Sequence, residues 1–267
     1  MNTLKVLFIG DIVGRIGREA AAKILPDLKE EYNPDIIITN GENLAHGKGI
    51  SEKIMKEMMV AGIDVFTSGN HIWQNKDIYP ILEMKDSPLI RPANYPPMVP
   101  GGGIKEIKIG AKNLVIINLM GRVFMKEDLD CPFRTIDKLL KNIDDNNCAG
   151  IIVDFHAEAT SEKVALKHYL DGRVSAVLGT HTHIQTADEE ISQKGTAYIS
   201  DVGAVFSKDS VIGVEKDAIL KSFLLQIKQS HEIPEKGLCE FRGIYLEIDT
   251  SLRAAIKIER IKREAEV

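Results

Sequence analysis

Asp11, Glu42, Asn43, Asn70, His71, His156, His181 and His183 are side chains that can hold metal ions, and each stands at or just past the end of an apolar run. The runs are Val6–Asp11, Ile36–Asn43, Val65–His71, Ile151–His156 and Val177–His183. In an open sheet of parallel strands the carboxyl ends lie along one edge, and ligands bind in the crevice outside it. Five distant segments can therefore deliver these residues to one place. Four of the seven histidines belong to the set, although histidine could sit anywhere in the chain. Nitrogen and oxygen donors without thiolate suit iron or manganese, with zinc as an alternative, better than copper(I) or an iron-sulfur cluster. Seven or so ligands exceed what one ion takes from a protein, so two ions are the natural inference, and a carboxylate such as Glu42 can bridge them. Two ions about 3.5 to 4 Å apart lower the pKa of a bridging water and clamp the attacking and leaving oxygens of an in-line displacement, chemistry used on phosphate esters. Asp154 and Glu158 flank His156 and could orient it, or simply cap the next helix.

The elements that must position these residues alternate. Helical patterns separate most of the strand-like runs, as in βα units. Gly17 to Tyr32 carries Ala21, Ile24, Leu25 and Leu28 at helical spacing, and Pro26 must kink that helix or begin a second one because it lacks an amide donor. Ser51 is a good N-cap for a helix with Ile54, Met58 and Ala61 on one face, and Met55, Met58 and Met59 read as core packing. Arg134 to Asn146 repeats the helical pattern, and Thr160 or Ser161 caps a helix to about Asp171. Two stretches, Arg91–Gly103 and Gly121–Phe133, read as long ordered loops, which in compact domains are more often functional than idle. Beyond His183 the texture changes to short β runs at Ala197–Ser200, Phe223–Ile227, Ile244–Ile248 and Ala254–Ile258. Their period of two predicts half-buried antiparallel strands, which a second sheet packed on the first would explain. Glu259 to Val267 reads as a fraying charged tail.

The bulk properties narrow the class. A chain of 267 residues suits one large α/β domain over 1–267, with 44% hydrophobic and 27% charged residues. No apolar run approaches the roughly 18 residues of a membrane helix. The sequence opens directly on a strand without a secretory leader, so a cytoplasmic location is the expectation. With 34 basic against 39 acidic residues there is no strong nucleic-acid signal. Cys131, Cys148 and Cys239 form no C-x-x-C pair and predict neither disulfides nor a thiolate metal site. Gly10, Gly14 and Gly17 do not form a G-x-G-x-x-G dinucleotide turn. His46 reads as a solvated loop residue, and His168 and His231 as surface residues.

The order of the pieces resembles the calcineurin-like metallophosphoesterases, whose signature runs Asp-x-His, Gly-Asp, Gly-Asn-His, a lone His and Gly-His-x-His. The counterparts are Gly10–Val13, Asn40–Asn43, Gly69–His71, His156 and Gly179–His183. Val13 replaces the histidine of the first motif and Glu42-Asn43 the aspartate of the second, leaving Asn43 as the available substitute ligand. Together with Arg91–Pro96, Asn118–Arg122, Cys131–Phe133, Asp154–Lys163 and Asp201–Gly203, these departures look like a bacterial branch of the superfamily that acts on 2′,3′-cyclic AMP and related diesters. That branch usually continues Met-Thr-Gly where this chain has Ala204-Val205-Phe206.

The resemblance implies a four-layer α/β/β/α sandwich of two mixed sheets, with metals at the carboxyl ends of the first sheet's strands. It implies one metal on Asp11, Glu42, Asn43 and His183, and another on Glu42, Asn70, His156 and His181. His71 would protonate the departing alkoxide, and Arg122 could neutralise a phosphate oxygen. The expected activity is hydrolysis of a cyclic-nucleotide phosphodiester by a metal-bridging hydroxide. A phosphomonoesterase of the same fold and a metal-binding regulatory protein with little turnover are the alternatives, the latter favoured by Val13 and Ala204–Phe206. Amidohydrolase barrels place His-x-His on the first strand and Asp on the last, the reverse of the order here. The expected partners are a small-molecule phosphate ester and, as an option, further copies of the chain.

Overall fold

A computed structural model describes residues 3–267. The first strand, β1 (Thr3–Ile12), is buried on both faces and splits its side chains between two cores. Leu4, Val6 and Phe8 face one way and Leu7 and Ile9 the other, as the two-residue period of a strand requires. A strand covered on both sides reads as a continuous apolar run, which is why alternation is absent from its sequence.

The chain continues through α1 (Gly14–Tyr32), β2 (Ile36–Asn40), α2 (Glu52–Ala61), β3 (Val65–Thr67) and the single turn α3 (Tyr79–Leu82). Then come β4 (Ile104–Ile109), β5 (Lys112–Met120), α4 (Pro132–Leu140), β6 (Cys148–His156), α5 (Thr160–Leu170) and β7 (Ala176–Thr180). The rest is β8 (Glu190–Ile191), β9 (Ala197–Ile199), β10 (Ala204–Ser207), β11 (Ser210–Val211), β12 (Val214–Glu215), α6 (Lys216–Leu225), β13 (Leu238–Asp249) and β14 (Ala254–Glu266). Two six-stranded mixed sheets form, ordered β14-β13-β10-β1-β2-β3 and β4-β5-β6-β7-β9-β8. Between them lie Val6, Phe8, Ile38, Ile116, Ile152, Leu178 and Leu246. The outer face of the first sheet packs on α1 and α2 through Ile16, Leu25, Leu28 and Met58, and that of the second on α4 and α5 through Ile136, Leu166 and Leu170. This is the four-layer sandwich that the resemblance implies.

Several local expectations need correction. Phe223–Ile227 is not a strand: Phe223 to Leu225 end α6, and the chain then leaves regular structure after Gln226, which takes a left-handed backbone at the helix end. Glu259 to Val267 is not a fraying tail, since β14 pairs along nearly all of β13 and its apolar Ile261 is buried in the core. The C-terminal strands join the first sheet, β13 lying antiparallel to β1, rather than building the second. Pro26 begins no second helix, as α1 runs from Gly14 to Tyr32. The helix expected over 134–146 stops at Leu140, and α5 is preceded by Ala159, with no side-chain cap from Thr160 or Ser161. Ser51 does cap α2, accepting from the Ile54 amide, and Met55 and Met58 are buried while Met59 is exposed. The stretch 91–103 and that from 121 to Cys131 are free of helix and strand, and all three cysteines are free. No helix among the described residues is long and apolar enough to cross a membrane.

Phe8 is fully buried between the sheets. Phe8→Ala should cost about 3–5 kcal/mol of unfolding free energy in a urea titration; a loss under about 1 kcal/mol would show that the inter-sheet core is not packed around this ring.

Candidate metal centre

Each residue of the site enters from a strand end whose backbone is fixed by a neighbour. Asp11 lies on β1, where its amide donates to the Gly203 carbonyl at 3.3 Å. A Cβ on Gly10 would stand 1.7 Å from that same carbonyl oxygen, so only glycine lets β1 and β10 approach this closely. Glu42 and Asn43 follow β2 in a turn tied to α1 by the Gly14 amide, which donates to the Asn43 carbonyl at 2.9 Å. Asn70 and His71 follow β3, and Gly69 before them is again a matter of space. A Cβ there would lie 2.3 Å from both Glu42 Oε2 and His156 Nε2. His156 ends β6, and His181 and His183 follow β7.

Four residues of the set, Asp11, Glu42, Asn43 and Asn70, thus come with His71 from the first sheet, and the three remaining histidines from the second. The expectation that the metals sit at the carboxyl ends of the first sheet's strands is corrected accordingly: the candidate residues come from the carboxyl ends of both sheets, which meet at one edge of the sandwich.

The side chains form two groups that share Glu42. In one, Asn43 Nδ2 lies 3.1 Å from Asp11 Oδ1, 3.2 Å from His183 Nε2 and 3.5 Å from Glu42 Oε1. In the other, His156 Nε2 lies 3.2 Å from Glu42 Oε1, 3.3 Å from Asn70 Oδ1 and 3.0 Å from His181 Nδ1. Glu42, His156 and His181 offer ligand atoms all within 4.8 Å of one another. His71 joins both groups, its Nδ1 lying 2.9 Å from Asn43 Oδ1 and its amide donating to Glu42 Oε2 at 3.1 Å.

The other nitrogen of each second-sheet histidine is engaged. Thr180 Oγ1 donates to Asp154 Oδ1 at 2.7 Å, so its oxygen accepts from His156 Nδ1 at 3.0 Å. Glu158 Oε2 lies 3.0 Å from His181 Nε2, and the Ile212 carbonyl accepts from His183 Nδ1 at 2.9 Å. The outer nitrogens are thereby committed to donating, and His156 Nε2, His181 Nδ1 and His183 Nε2 face inward, the arrangement typical of metal-ligating histidines. His156 Nε2 and His181 Nδ1, 3.0 Å apart beside two acceptor oxygens, face a position that a proton on His156 or a metal ion would fill. The donor set therefore fits a metal ion.

Asn43 fits in composition but not in orientation. Its amide nitrogen faces Asp11 Oδ1 and His183 Nε2, and its oxygen faces His71 Nδ1. Val13, where the superfamily signature has histidine, is buried in an apolar cluster with Ala204 and Phe206 and offers no ligand atom. Arg122 is exposed, and the hydrogen bonds it makes among the described residues are backbone ones: its amide donates to the Glu162 carboxylate at 3.0 and 3.1 Å and its carbonyl accepts from the Met125 amide at 3.3 Å. Its guanidinium makes no ion pair among the described residues. His46, His168 and His231 are exposed.

Electrostatics follow from burial. Desolvation raises the Asp11 carboxyl above its ordinary value, and raises Asp154 to about 6. Burial alone would raise Glu42 too, but the adjacent His156 and His71 hold it well below the usual carboxylate range. Burial and the neighbouring His156 depress His181 to about 3, while Glu42 and Asp11 outweigh burial at His156 and hold it high.

Sequence reasoning missed the supports behind the ligands. Asp154 reaches His156 through Thr180 and Asn40, and Glu158 holds His181 rather than His156. Asn40 Nδ2 donates to Asp154 Oδ2 at 3.1 Å, and its Oδ1 accepts from the Glu42 amide at 3.1 Å. Asp201, buried with Lys163 Nζ at 3.0 Å, accepts from the Thr182 amide at 3.0 Å and the Gly203 amide at 2.8 Å. These bonds brace a turn in which His181 has φ 100 and His183 φ 66, a left-handed backbone costing about 1–3 kcal/mol per residue. The available signal was polar residues inside otherwise apolar strand ends, Asn40, Thr67 and Thr180 among them.

Fold and site together define a protein of the metallophosphoesterase architecture. Residues 7–261 match the family described as YmdB-like protein, and the chain belongs to that family. It is 46% identical to the 2′,3′-cyclic-nucleotide 2′-phosphodiesterase of Bacillus subtilis over 97% of this chain and 96% of that protein. A crystal structure of a hypothetical protein from Thermus thermophilus superimposes with a TM-score of 0.90 at 41% identity, covering 98% of this chain and 99% of that one. The crystal structure of a novel phosphatase from Mycoplasma pneumoniae gives 0.92 at 35% identity, covering 100% and 95%.

Thr180→Val removes the acceptor of His156 and a donor to Asp154 while keeping the side-chain volume. Metal affinity, measured by competition with a chelating dye, should fall about 10- to 100-fold with the cooperative thermal melt retained. Unchanged affinity would show that the ring needs no such support.

Proposed function

We propose that residues 1–267 act as one unit that hydrolyses a phosphodiester, a cyclic nucleotide of the 2′,3′-cyclic AMP kind, at a centre of two metal ions. The observation that carries this reading is the pair of donor groups sharing the buried Glu42 carboxylate. Asp11, Glu42, Asn43 and His183 would hold one ion, Asn43 through its amide oxygen. Glu42, Asn70, His156 and His181 would hold the other. Iron or manganese suits this nitrogen and oxygen set, with zinc as an alternative. Such ions supply Lewis acidity toward a phosphoryl oxygen and a low pKa for bound water. Phosphoric ester hydrolysis is the activity named for the B. subtilis relative, and the chain is an enzyme of that class.

The protein's own groups supply orientation and the proton. His71 is held by its amide, which donates to Glu42 Oε2 at 3.1 Å, and by Nδ1, 3.3 Å from Glu42 Oε1, while 24% of its side chain is exposed. From that position it delivers a proton to the departing alkoxide. Arg122 follows Gly121, whose amide donates to the His156 carbonyl at 3.0 Å, and from this loop its guanidinium would meet a phosphate oxygen.

Metal-loaded protein should hydrolyse 2′,3′-cyclic AMP in preference to 3′,5′-cyclic AMP and a phosphomonoester. Two bound equivalents of metal with no turnover of any ester would sink the enzyme reading in favour of the regulatory one, and a preference for the monoester would favour a phosphomonoesterase. In a second test, His71→Ala should keep its metals and lose about 10²- to 10⁴-fold in kcat. Collapse of the metal content instead would make His71 a ligand.

A further inference from the structure

The chain leaves the first sheet after Ser207 and returns to it at Leu238, and the excursion between carries α6. That helix faces the wrong way for a monomer. Its inward positions are the half-buried Ala218, Ile219 and Ser222, and none of its residues is fully buried. Leu220, Phe223 and Leu224, spaced i, i+3 and i+4, form an outward stripe that Leu225 and Ile227 extend. Phe223 is 75% exposed and Leu224 81%, and Leu220, Leu225 and Ile227 are each more than half exposed.

With the exposed Ile212 of the preceding hairpin, these side chains make a run of exposed apolar residues, where a typical monomer scatters such residues singly. The charges around them discriminate between occupants. Between Lys208 and Lys236 stand five lysines and five acidic residues, a neutral mixture of both signs. A membrane-surface helix carries an excess of Lys and Arg suited to anionic lipid. A balanced rim instead lets a patch meet a copy of itself without repulsion, as an isologous two-fold contact requires.

We propose that α6 is the contact through which two copies of this chain pair about a two-fold axis, α6 against α6. The pairing bears on the metal centre, because the same excursion supplies the Ile212 carbonyl that holds His183, and packs Ile233 against Val13 and Phe206.

The test is the mass of the full-length, metal-loaded protein by sedimentation velocity. Wild type should sediment as a dimer, and the doubly substituted Phe223→Glu, Leu224→Glu protein as a monomer with an unchanged thermal melt. In a second measurement, Leu220→Cys should give a disulfide-linked dimer under mild oxidation, whereas Val60→Cys, on the exposed face of α2, should not. A monomeric wild type, a doubly substituted protein that remains dimeric, or equal cross-linking at both positions would overturn the proposal. So would wild-type monomer that pellets with phosphatidylglycerol vesicles, which would assign the patch to a lipid surface.

Discussion

A carboxylate with 1% of its side chain exposed must be compensated, and at Glu42 the compensation comes from every direction. One oxygen accepts from the His71 amide, the other faces the imidazoles of His71 and His156, and the backbone of Glu42 itself is held by Asn40. Much of the local fold serves this group. Gly69 is small because a side chain there would collide with Glu42 and His156, and Asn40 ties the Glu42 turn to Asp154 on the facing sheet. Asp154 in turn fixes Thr180 and through it His156. The carboxylate thus stands at the head of a chain of buried polar contacts that crosses from one sheet to the other and back.

What the sequence revealed and what it hid have physical reasons. That the candidate residues would converge was legible because an apolar run ending in polar residues marks the carboxyl end of a buried strand, as at Asp11, Asn70, His156 and His181. Their joint order then pointed to the four layers. The grouping around Glu42, by contrast, depends on which sheet each strand joins. That is decided by long-range pairing: β13 returns to the N-terminal strand across nearly the whole chain and β14 adds to β13, and no local pattern announces such a return. The same limit produced the error at Glu259–Val267, where charged residues alternate along an edge strand and so imitate a solvated tail. At Phe223–Ile227 the dense apolar residues suggested a strand, whereas they lie on a helix face and beyond its end, turned to solvent. Thr180 and Asp201 went unread because their roles exist only through partners distant in sequence. Arg122, legible as a phosphate-binding candidate, is brought to the edge of the site by its backbone, while its side chain engages none of the ligands.

Because Asp11, Glu42, Asn43 and Asn70 ride on one sheet and His156, His181 and His183 on the other, the centre is assembled across the interface between the sheets. Away from the polar contacts of Asn40 and Thr67 with Asp154, the two sheets meet through branched aliphatic side chains and Phe8, contacts that have no directional preference of their own. Adjacent residues on a strand are about 3.3 Å apart, roughly the spacing between the donor atoms themselves. A displacement of one sheet over the other by a single residue would therefore leave the apolar contact largely intact and carry the imidazoles out of reach of the carboxylates. The affinity of the site for cations is in this sense a gauge of sheet alignment, able to register changes in a core whose residues never touch an ion.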